Sequence, residues 1–406
     1  MTLLMTLAVA VSLSVPGRVN ATPTVAADGS FVAIVWSASA SSGATDIYAS
    51  VSRDAGRACG APVRVNDVDG DARVNGEQAP QVALVPRAGR DPAVTVVWTT
   101  KGAKGTTLLQ SRSDDGGKSF ARASVVPGSD AAGNRGWEAT TTRNATVFAA
   151  WLDHRELAAD SSMATMHHEH GGAAANAKPD GVAMAQKSKL YVASLDGTAP
   201  PVAVTGGVCY CCKTALATGT DGSIYAAWRH VYPGNLRDMA FTVSHDGGRT
   251  FAPPLRVSED KWMLEGCPDD GPAMAVDAQN RVHLVWPTLV TNASGGDPTI
   301  GIFYASSADG RRFSARERVP AEGTPHHPRI VLDGKAVVLV WDEGQDGARR
   351  VVAARRTGSA GPFTRQVLSD ATPGVYPMAA AVPGGIVVAW SSGRSSDSAI
   401  RVARLP

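Results

Sequence analysis

The chain has few cysteines and few aromatic residues, and its charges nearly cancel. Of 406 residues, five are cysteine, 6% are aromatic, and the formal net charge is +2. A balanced charge gives no reason to expect nucleic acid as a partner. No apolar run of 18 or more residues follows the N-terminal segment, so no membrane span is expected. Glycine and proline are abundant instead, 42 and 25 residues, which suits short strands joined by many turns.

The N-terminal segment, residues 1–15, is apolar and reads MTLLMTLAVAVSLSV. It holds a candidate signal-peptidase site at Ala8-Val9-Ala10, although no lysine or arginine precedes the apolar residues. The alternative is an ordinary first strand. We expect export to the periplasm or the medium, with residues 16–406 forming a single domain.

Seven tryptophans end seven similar apolar strands, spaced 49 to 77 residues apart. They are Trp36, Trp98, Trp151, Trp228, Trp286, Trp341 and Trp390. One apolar segment precedes each tryptophan strand, and two further strands follow it. Four strands in a repeat of this size make one blade of a β-propeller. The predicted fold is therefore all-β, a propeller of four-stranded blades, with seven blades favoured and six the alternative.

Two parts of the chain depart from the regular repeat. The seventh repeat ends after its third strand, and residues near 14–21 resemble the fourth strand of the first repeat. We predict that this segment closes the ring, because closure removes an exposed strand edge. An insertion at about 156–187 interrupts the third repeat and is rich in methionine and histidine. Its small and polar residues predict a loop.

A turn motif, S-x-D-x-G-x-T/S-F, recurs after the third strand of several repeats. It is complete at 244–251 and 113–120 and altered at 52–59 and 307–313. The aspartate accepts hydrogen bonds from its own turn, the glycine supplies a positive φ, and the phenylalanine packs into the sheet core. We interpret these turns as structural, on the propeller face opposite any functional site.

The turn motif resembles the Asp box of the sialidase-like β-propellers, and the resemblance covers the whole chain. It is specific for the fold and not for an activity. The favoured count of seven blades departs from the six of sialidases. The CxCC string, followed by Gly266-Cys267-Pro268-x-x-Gly271-Pro272, is similar to a pattern in uncharacterised bacterial propellers of this kind.

The starts of the innermost strands should form a ring around the central channel, and soft ligands are concentrated there. Candidate metal ligands on this ring are Cys209, Cys211, Cys212, Cys267, Asp269, His326 and His327. The insertion, on the same face, adds Met163, Met166, His167, His168 and His170. Sulfur ligands select Cu(I), and imidazole suits copper or zinc. The leading hypothesis is a soft-metal site, with copper favoured and zinc the alternative. The alternative interpretation of the insertion is a solvated loop that binds no metal.

The same cysteines have a metal-free interpretation as disulfides that join neighbouring blades, for example Cys209 with Cys267. Such bonds are common in exported proteins. Adjacent cysteines can hardly bond to each other, so at least one thiol should remain free. Cys59 replaces the phenylalanine of a turn motif and is expected to be a buried apolar residue. On this interpretation the protein is a non-catalytic binding scaffold, and the sequence does not identify its protein partner.

The resemblance to sialidases implies a second function, hydrolysis of sialic-acid-like glycans. Such enzymes hold the substrate carboxylate with three arginines and use a tyrosine nucleophile with a glutamate partner and an aspartate acid. Here the resemblance implies Tyr376 as nucleophile, Glu138 or Glu77 as its partner, and Asp153 as the acid. The candidate arginines are Arg155, Arg229, Arg329 and Arg394. The alternative for each arginine is an ion pair between blades. The family's Phe/Tyr-Arg-Ile-Pro motif near the N-terminus is absent. Pro328-Arg329-Ile330-Val331, late in the chain, resembles it only weakly.

Overall fold

Seven four-stranded antiparallel sheets make up the computed structural model. The structure describes residues 11–158, 181–264, 270–290, 297–345, 347–358, 361–370, 372–393 and 395–406. Within these ranges each sheet corresponds to one tryptophan repeat, which confirms the seven-bladed propeller.

The first three blades are each formed by four consecutive strands, from the channel outwards. Blade one contains β2 (Val19–Asp28), β3 (Phe31–Ser39), β4 (Thr45–Ser52) and β5 (Val63–Arg64). Blade two contains β6 (Gln81–Arg87), β7 (Arg90–Gly102), β8 (Gly105–Ser113) and β9 (Ser124–Val125). Blade three contains β10 (Arg135–Arg143), β11 (Thr146–Asp153), β12 (Lys189–Ser194) and β13 (Val202–Gly206).

Blades four to six repeat this order, and blade seven takes one strand from the N-terminal end. Blade four contains β14 (Ala215–Thr218), β15 (Ile224–Tyr232), β16 (Leu236–Ser244) and β17 (Leu255–Arg256). Blade five contains β18 (Ala273–Val276), β19 (Val282–Val290), β20 (Thr299–Ser307) and β21 (Glu317–Arg318). Blade six contains β22 (Thr324–Asp333), β23 (Ala336–Gln345), β24 (Ala348–Thr357) and β25 (Thr364–Val367). Blade seven contains β26 (Gly374–Val382), β27 (Gly385–Ser392), β28 (Ala399–Leu405) and β1 (Val11–Leu13).

The second strand of each blade is apolar on both faces because neighbouring blades pack on both sides of it. All seven repeat tryptophans lie on these strands and are at most 3% exposed. Phe148 and Ala150 of blade three, for example, share one core cluster with Ile224 and Ala226 of blade four. The hydrophobic core is therefore a series of layers between blades.

The N-terminal end of the chain closes the ring, as predicted, but it does so through Val11–Leu13 and not through residues near 14–21. Val11 pairs with Val402, and Leu13 pairs with Ile400. The backbone N–H of Asn20 donates to Ser398 Oγ over 2.7 Å. This residue already lies in β2, on the channel side of blade one. The chain therefore needs the intervening residues to cross from the outermost strand of blade seven to the innermost strand of blade one.

The turns that carry the repeated motif, called Asp-box turns for their resemblance, lie between third and fourth strands, on the face opposite the starts of the innermost strands. Asp246 Oδ1 accepts hydrogen bonds from the backbone N–H groups of Arg249 and Thr250, at 3.0 and 2.9 Å. Thr250 Oγ1 also donates to the Asp246 carboxylate, and these bonds hold the pKa of Asp246 well below its usual range. Gly248 has a φ of +84°. The aspartate therefore stabilises its own turn.

Two short helices flank the insertion of blade three, α1 (Arg155–Ala158) and α2 (Gly181–Lys187). Residues 159–180 between them, and residues 1–10 of the proposed signal segment, lie outside the described residues. Among the helices that are described, none is long and apolar enough to cross a membrane.

Candidate functional site

Four innermost strands carry the same irregularity where they meet the channel mouth. Each has a β-bulge that contains a non-glycine residue with a positive φ. These residues are Thr22, Trp137, His327 and Tyr376, with φ of 52°, 55°, 54° and 54°. The left-handed region is unfavourable for bulky residues and persists only where the surroundings hold it. Bulges also redirect side chains. The repeated strain marks the channel mouth as a candidate site.

Buried carboxylates hold two of these strained residues in place. The backbone N–H of His327 donates to Asp270 Oδ2 over 2.9 Å. The backbone N–H of Tyr376 donates to Asp342 Oδ1 over 3.2 Å. Asp342 Oδ1 also lies 2.6 Å from His327 Nδ1, and Arg349 binds the other oxygen of the same carboxylate. Asp342 therefore fixes both His327 and Tyr376.

His327, Tyr376 and Glu77 meet at the mouth although they come from three different parts of the ring. The ring centroids of His327 and Tyr376 are 4.3 Å apart. His327 Nε2 lies 3.9 Å from Glu77 Oε1. The Tyr376 hydroxyl rests on Gly76, where an added Cβ would lie 2.1 Å from the oxygen. The hydroxyl is therefore next to the residue that precedes Glu77.

Lys213 joins this group through two carboxylates. Its Nζ lies 3.0 Å from Asp270 Oδ1 and 3.5 Å from Glu77 Oε1. Lys213 and Asp270 are 2% exposed and Glu77 is 7% exposed. Burial alone would raise the pKa of Asp270, but Lys213 and the two histidines at 326 and 327 hold it well below its usual range. Asp270 is therefore a fixed negative charge at the mouth.

Below the mouth lies a channel cavity of about 150 Å³, whose lining includes Glu77, Glu138, Lys213 and Arg329. Burial raises the pKa of Glu138 to about 7, although Thr99 Oγ1 donates to its carboxylate at 3.2 Å. Arg329 Nε is buried and has no hydrogen-bond partner among the residues described. Burial lowers the pKa of Arg329, and the Glu77 and Asp270 carboxylates oppose that shift. The cavity is therefore polar and carries groups of both charges.

The cysteine cluster forms a second buried group beside this mouth. The sulfur atoms of Cys209, Cys211 and Cys212 lie within 4.8 Å of one another, and all three residues are buried. Cys211 is disulfide-bonded, whereas Cys209 and Cys212 are free thiols. The disulfide therefore involves Cys211 and not Cys209. The partner sulfur lies outside the described residues, as does Cys267.

A buried arginine sets the charge of this cluster. Arg237 Nη1 lies 3.0 Å from Cys209 Sγ, and the Cys212 thiol donates to the same sulfur at 3.6 Å. The Cys212 hydrogen bond and the charges of Arg237 and Arg229 lower the pKa of Cys209 to about 6, against the effect of burial. Burial and the neighbouring Cys209 raise the pKa of Cys212. These groups favour the thiolate form of Cys209, which is paired with an arginine.

The two other described metal candidates, His326 and His327, do not join the cysteine cluster. His326 and His327 face the carboxylates of Asp270 and Asp342 instead. Within the described ranges, the three cysteines are the group that could share one ion. The other candidates lie outside the described residues, and these are Cys267, Asp269, Met163, Met166, His167, His168 and His170.

Asp153 and Arg155, assigned by resemblance to catalysis, belong to an internal ion network. The Asp153 carboxylate accepts from Arg135 Nε at 3.1 Å, from Arg155 Nη2 at 2.7 Å and from the Trp151 indole at 3.0 Å. Burial would raise the pKa of Asp153, but the hydrogen bonds from Arg155 and Trp151 and the charge of Arg135 keep it lowered. The guanidinium of Arg155 also stacks on Tyr191, 4.3 Å from the ring centroid. This network anchors a tryptophan of blade three.

Arg229 is also committed to the fold. Its guanidinium donates to the backbone carbonyls of Arg237, Asp270 and Pro287, at 3.0, 3.0 and 2.7 Å. Arg394 lies outside the described residues. Of the three candidate arginines that the structure describes, Arg329 is the one that lines the cavity. The described residues thus do not assemble a three-arginine clamp around Tyr376.

Sequence reasoning missed the roles of Lys213, Asp270, Asp342 and Arg237. The first three follow the repeat pattern, because they lie beside the start of an innermost strand or at the end of a second strand. That repeated position could have identified them. Arg237 lies on a third strand, and its contact with Cys209 leaves no local signal in the sequence.

No family model and no curated protein sequence matches the chain. Solved structures match it over nearly its full length. A polysaccharide lyase of family PL25, an ulvan lyase, is 10% identical with a TM-score of 0.60, covering 98% of this chain and 96% of that one. The GH93 α-L-arabinofuranosidase of Fusarium graminearum is 12% identical with a TM-score of 0.53, covering 98% of both chains. A protein of unknown function from Dyadobacter fermentans DSM 18053 is 14% identical with a TM-score of 0.52, covering 97% of both. At these identities the comparisons establish the propeller fold alone.

Proposed function

We propose that the channel mouth is the active site of a glycoside hydrolase that uses a tyrosine nucleophile as sialidases do, with Arg329 in place of a three-arginine clamp among the described residues. The observation that carries this proposal is the contact of Tyr376 with His327 beside Glu77. Both aromatic residues occupy strained bulges held by buried carboxylates. Strain of this kind is concentrated at active sites because only a rigid surrounding sustains it.

In this proposal Tyr376 is the nucleophile and Glu77 is the carboxylate that assists it. The substrate is an acidic sugar, since Arg329 lines the cavity and has a buried nitrogen without a partner. A guanidinium binds a carboxylate through two parallel hydrogen bonds. The carbohydrate activities named for the ulvan lyase and the arabinofuranosidase support a carbohydrate substrate.

A panel of aryl glycosides that includes sialosides, uronides and arabinofuranosides tests the proposal. We expect cleavage of an acidic member, and a loss of about ten-thousand- to a million-fold in kcat/KM in Tyr376→Phe, because phenylalanine has no oxygen that could attack the anomeric carbon. Tyr191→Phe is the matched control, because Tyr191 stacks on Trp151 within blade three. Cleavage of none of the substrates by the wild type, or equal rates in wild type and Tyr376→Phe, would contradict the proposal.

A second candidate function is binding of Cu(I) at the cysteine cluster, with zinc as the alternative ion. It is favoured by one observation, the three sulfur atoms within 4.8 Å of one another. Cu(I) prefers sulfur ligands. Two features oppose loading, because Cys211 is oxidised and Arg237 occupies the side of the Cys209 thiolate. The site therefore requires reduction before it binds metal. In this proposal the methionine- and histidine-rich insertion collects the ion.

Titration with Cu(I) under anaerobic conditions and against a competing chelator tests this second function. We expect tight binding only after reduction, and its loss in Cys209→Ser. Cys59→Ser is the matched control, because Cys59 is a free thiol in a different blade. A protein without residues 163–170 should load more slowly with unchanged affinity. Equal affinity in wild type and Cys209→Ser would remove the cluster as the ligand set.

The disulfide of Cys211 also fits export, since such bonds persist in oxidising compartments. We propose Cys267, the fifth cysteine of the chain, as its partner. Peptide mapping without reduction tests this pairing, and a Cys267 peptide that runs free would contradict it. A protein that neither cleaves glycosides nor binds Cu(I) would leave the third interpretation, a disulfide-bonded scaffold.

A further inference from the structure

With Asp153 engaged in an ion network, the proposed hydrolase needs another group to protonate its leaving group. We infer that His327 is the catalytic acid and base of the channel mouth, protonating the leaving-group oxygen of a glycoside through Nε2. This inference rests on the proposed function. It gives His327 a role in proton transfer, whereas the sequence predicted it to be a metal ligand.

The hydrogen bonds of His327 fix which nitrogen faces the substrate. Nδ1 lies 2.6 Å from Asp342 Oδ1, so its N–H is committed to that carboxylate. Asp342 is itself immobile, because Arg349 and the Tyr376 backbone N–H both bind it. Nε2 is left on the side of Glu77, a residue that lines the cavity. A carboxylate that orients an imidazole in this way is the arrangement used by catalytic triads.

The surroundings of His327 favour its protonated form. Three carboxylates face it, those of Asp342, Asp270 and Glu77, together with the Tyr376 ring and the His326 imidazole. Lys213 and Arg349 lie behind these carboxylates and bind them. Burial lowers the pKa of His327, but the three carboxylates outweigh it and leave the pKa raised. The surrounding carboxylates therefore stabilise the imidazolium form of His327.

The proposed hydrolysis of the glycoside takes place in two steps. In the first, the Tyr376 oxygen bonds to the anomeric carbon and the glycosidic C–O bond breaks. Glu77 takes the tyrosine proton, and His327 Nε2 gives its proton to the departing oxygen. In the second, water attacks the anomeric carbon and the tyrosine oxygen leaves. Neutral His327 takes the proton of the water, and Glu77 returns its proton to Tyr376. The net change is hydrolysis with both groups restored.

Leaving-group dependence separates an acid from a structural histidine. The dinitrophenolate of a dinitrophenyl glycoside leaves without being protonated. The methanol of a methyl glycoside leaves only after its oxygen has received a proton. We expect His327→Gln to cut kcat/KM for the methyl glycoside about a hundred- to ten-thousand-fold and to leave the dinitrophenyl glycoside within about tenfold. Tyr376→Phe should lose activity toward both glycosides. His245→Gln is the matched control, because His245 bonds Ser223 near the Asp-box face.

The pH profile supplies a second readout. Wild-type kcat/KM for the methyl glycoside should fall as pH rises through the pKa of His327, above the usual 6.5 of histidine. Asp342→Asn should move this limb to lower pH, and His327→Gln should lack it. Equal losses for both leaving groups in a folded His327→Gln protein would overturn the acid role and leave the hydrolase standing. A wild type that cleaves neither glycoside would overturn the hydrolase and this inference with it.

Discussion

Arg237 Nη1 lies 3.0 Å from the sulfur of Cys209, and both residues are at most 1% exposed. A buried cation beside a thiol stabilises the thiolate, since the charged form then has a partner that water cannot provide. This pair distinguishes Cys209 from Cys59, whose pKa burial raises to about 11. The thiols of Cys209 and Cys59 therefore differ in reactivity.

Arg237→Met should raise the pKa of Cys209 from about 6 by about 1–3 units, because it removes the nearest positive charge. The measurement is thiolate absorbance near 240 nm as a function of pH. Cys209→Ser should abolish the low-pH transition. Arg249→Met, in an Asp-box turn, is the control. An unchanged transition in Arg237→Met would contradict the ion pair.

Glu138→Gln should change how stability depends on pH. Burial raises the pKa of Glu138 from 4.5 to about 7 in the folded protein. The group therefore contributes stability that is complete below pH 4.5 and is lost as pH rises through 7. That loss is up to about 3 kcal/mol of unfolding free energy. Urea unfolding at pH 4.5 and 7.5 should show the loss in wild type but not in Glu138→Gln.

Glu259→Gln is the control for this pH effect, because Glu259 is 68% exposed and its neighbour Lys261 is equally open to solvent. Its unfolding free energy should depend on pH as that of the wild type does. A Glu138→Gln protein with the wild-type pH dependence would show that the buried carboxyl does not titrate in this range.

Leu13→Ala should lower the unfolding free energy by about 2–5 kcal/mol, the range for a buried leucine. Leu13 is 5% exposed and belongs to the core cluster that joins the two ends of the chain. Ser12→Ala, on the exposed side of the same strand, should stay within about 0.5 kcal/mol. Equal effects of the two substitutions in chemical unfolding would contradict closure through β1.

Asp246→Ala should lower the thermal unfolding midpoint by a few degrees and leave both proposed activities unchanged. The reason is that Asp246 holds its own turn and faces away from the channel mouth. Glycoside cleavage and Cu(I) affinity are measured on the folded variant. A selective loss of either would show that the Asp-box face participates in function.

Gly76→Ala should reduce kcat of the proposed hydrolase without unfolding the protein. An added Cβ would lie 2.1 Å from the Tyr376 hydroxyl, so the tyrosine must move. Gly60→Ala is the control, because a Cβ there meets its nearest atom at 3.6 Å. Wild-type kcat in Gly76→Ala would argue against Tyr376 as the nucleophile.

The sequence by itself determined the seven blades and the role of each Asp-box turn. Both are local and repeated, since a tryptophan at the end of an apolar strand and an aspartate within its own turn need few distant partners. The sequence also placed Tyr376, His327, Glu77 and the cysteines at 209, 211 and 212 at one end of the channel, because position in the repeat decides the face.

Only the tertiary structure decided which partner each of these side chains has. Asp153 is bound by Arg135 and Arg155, and Arg229 donates to three carbonyls, so both side chains are engaged within the fold. His327 pairs with Asp342, and Cys209 pairs with Arg237. A hydrogen bond depends on separations of a few tenths of an ångström between strands that fold together from distant parts of the chain. Periodicity in a sequence carries no information at that scale.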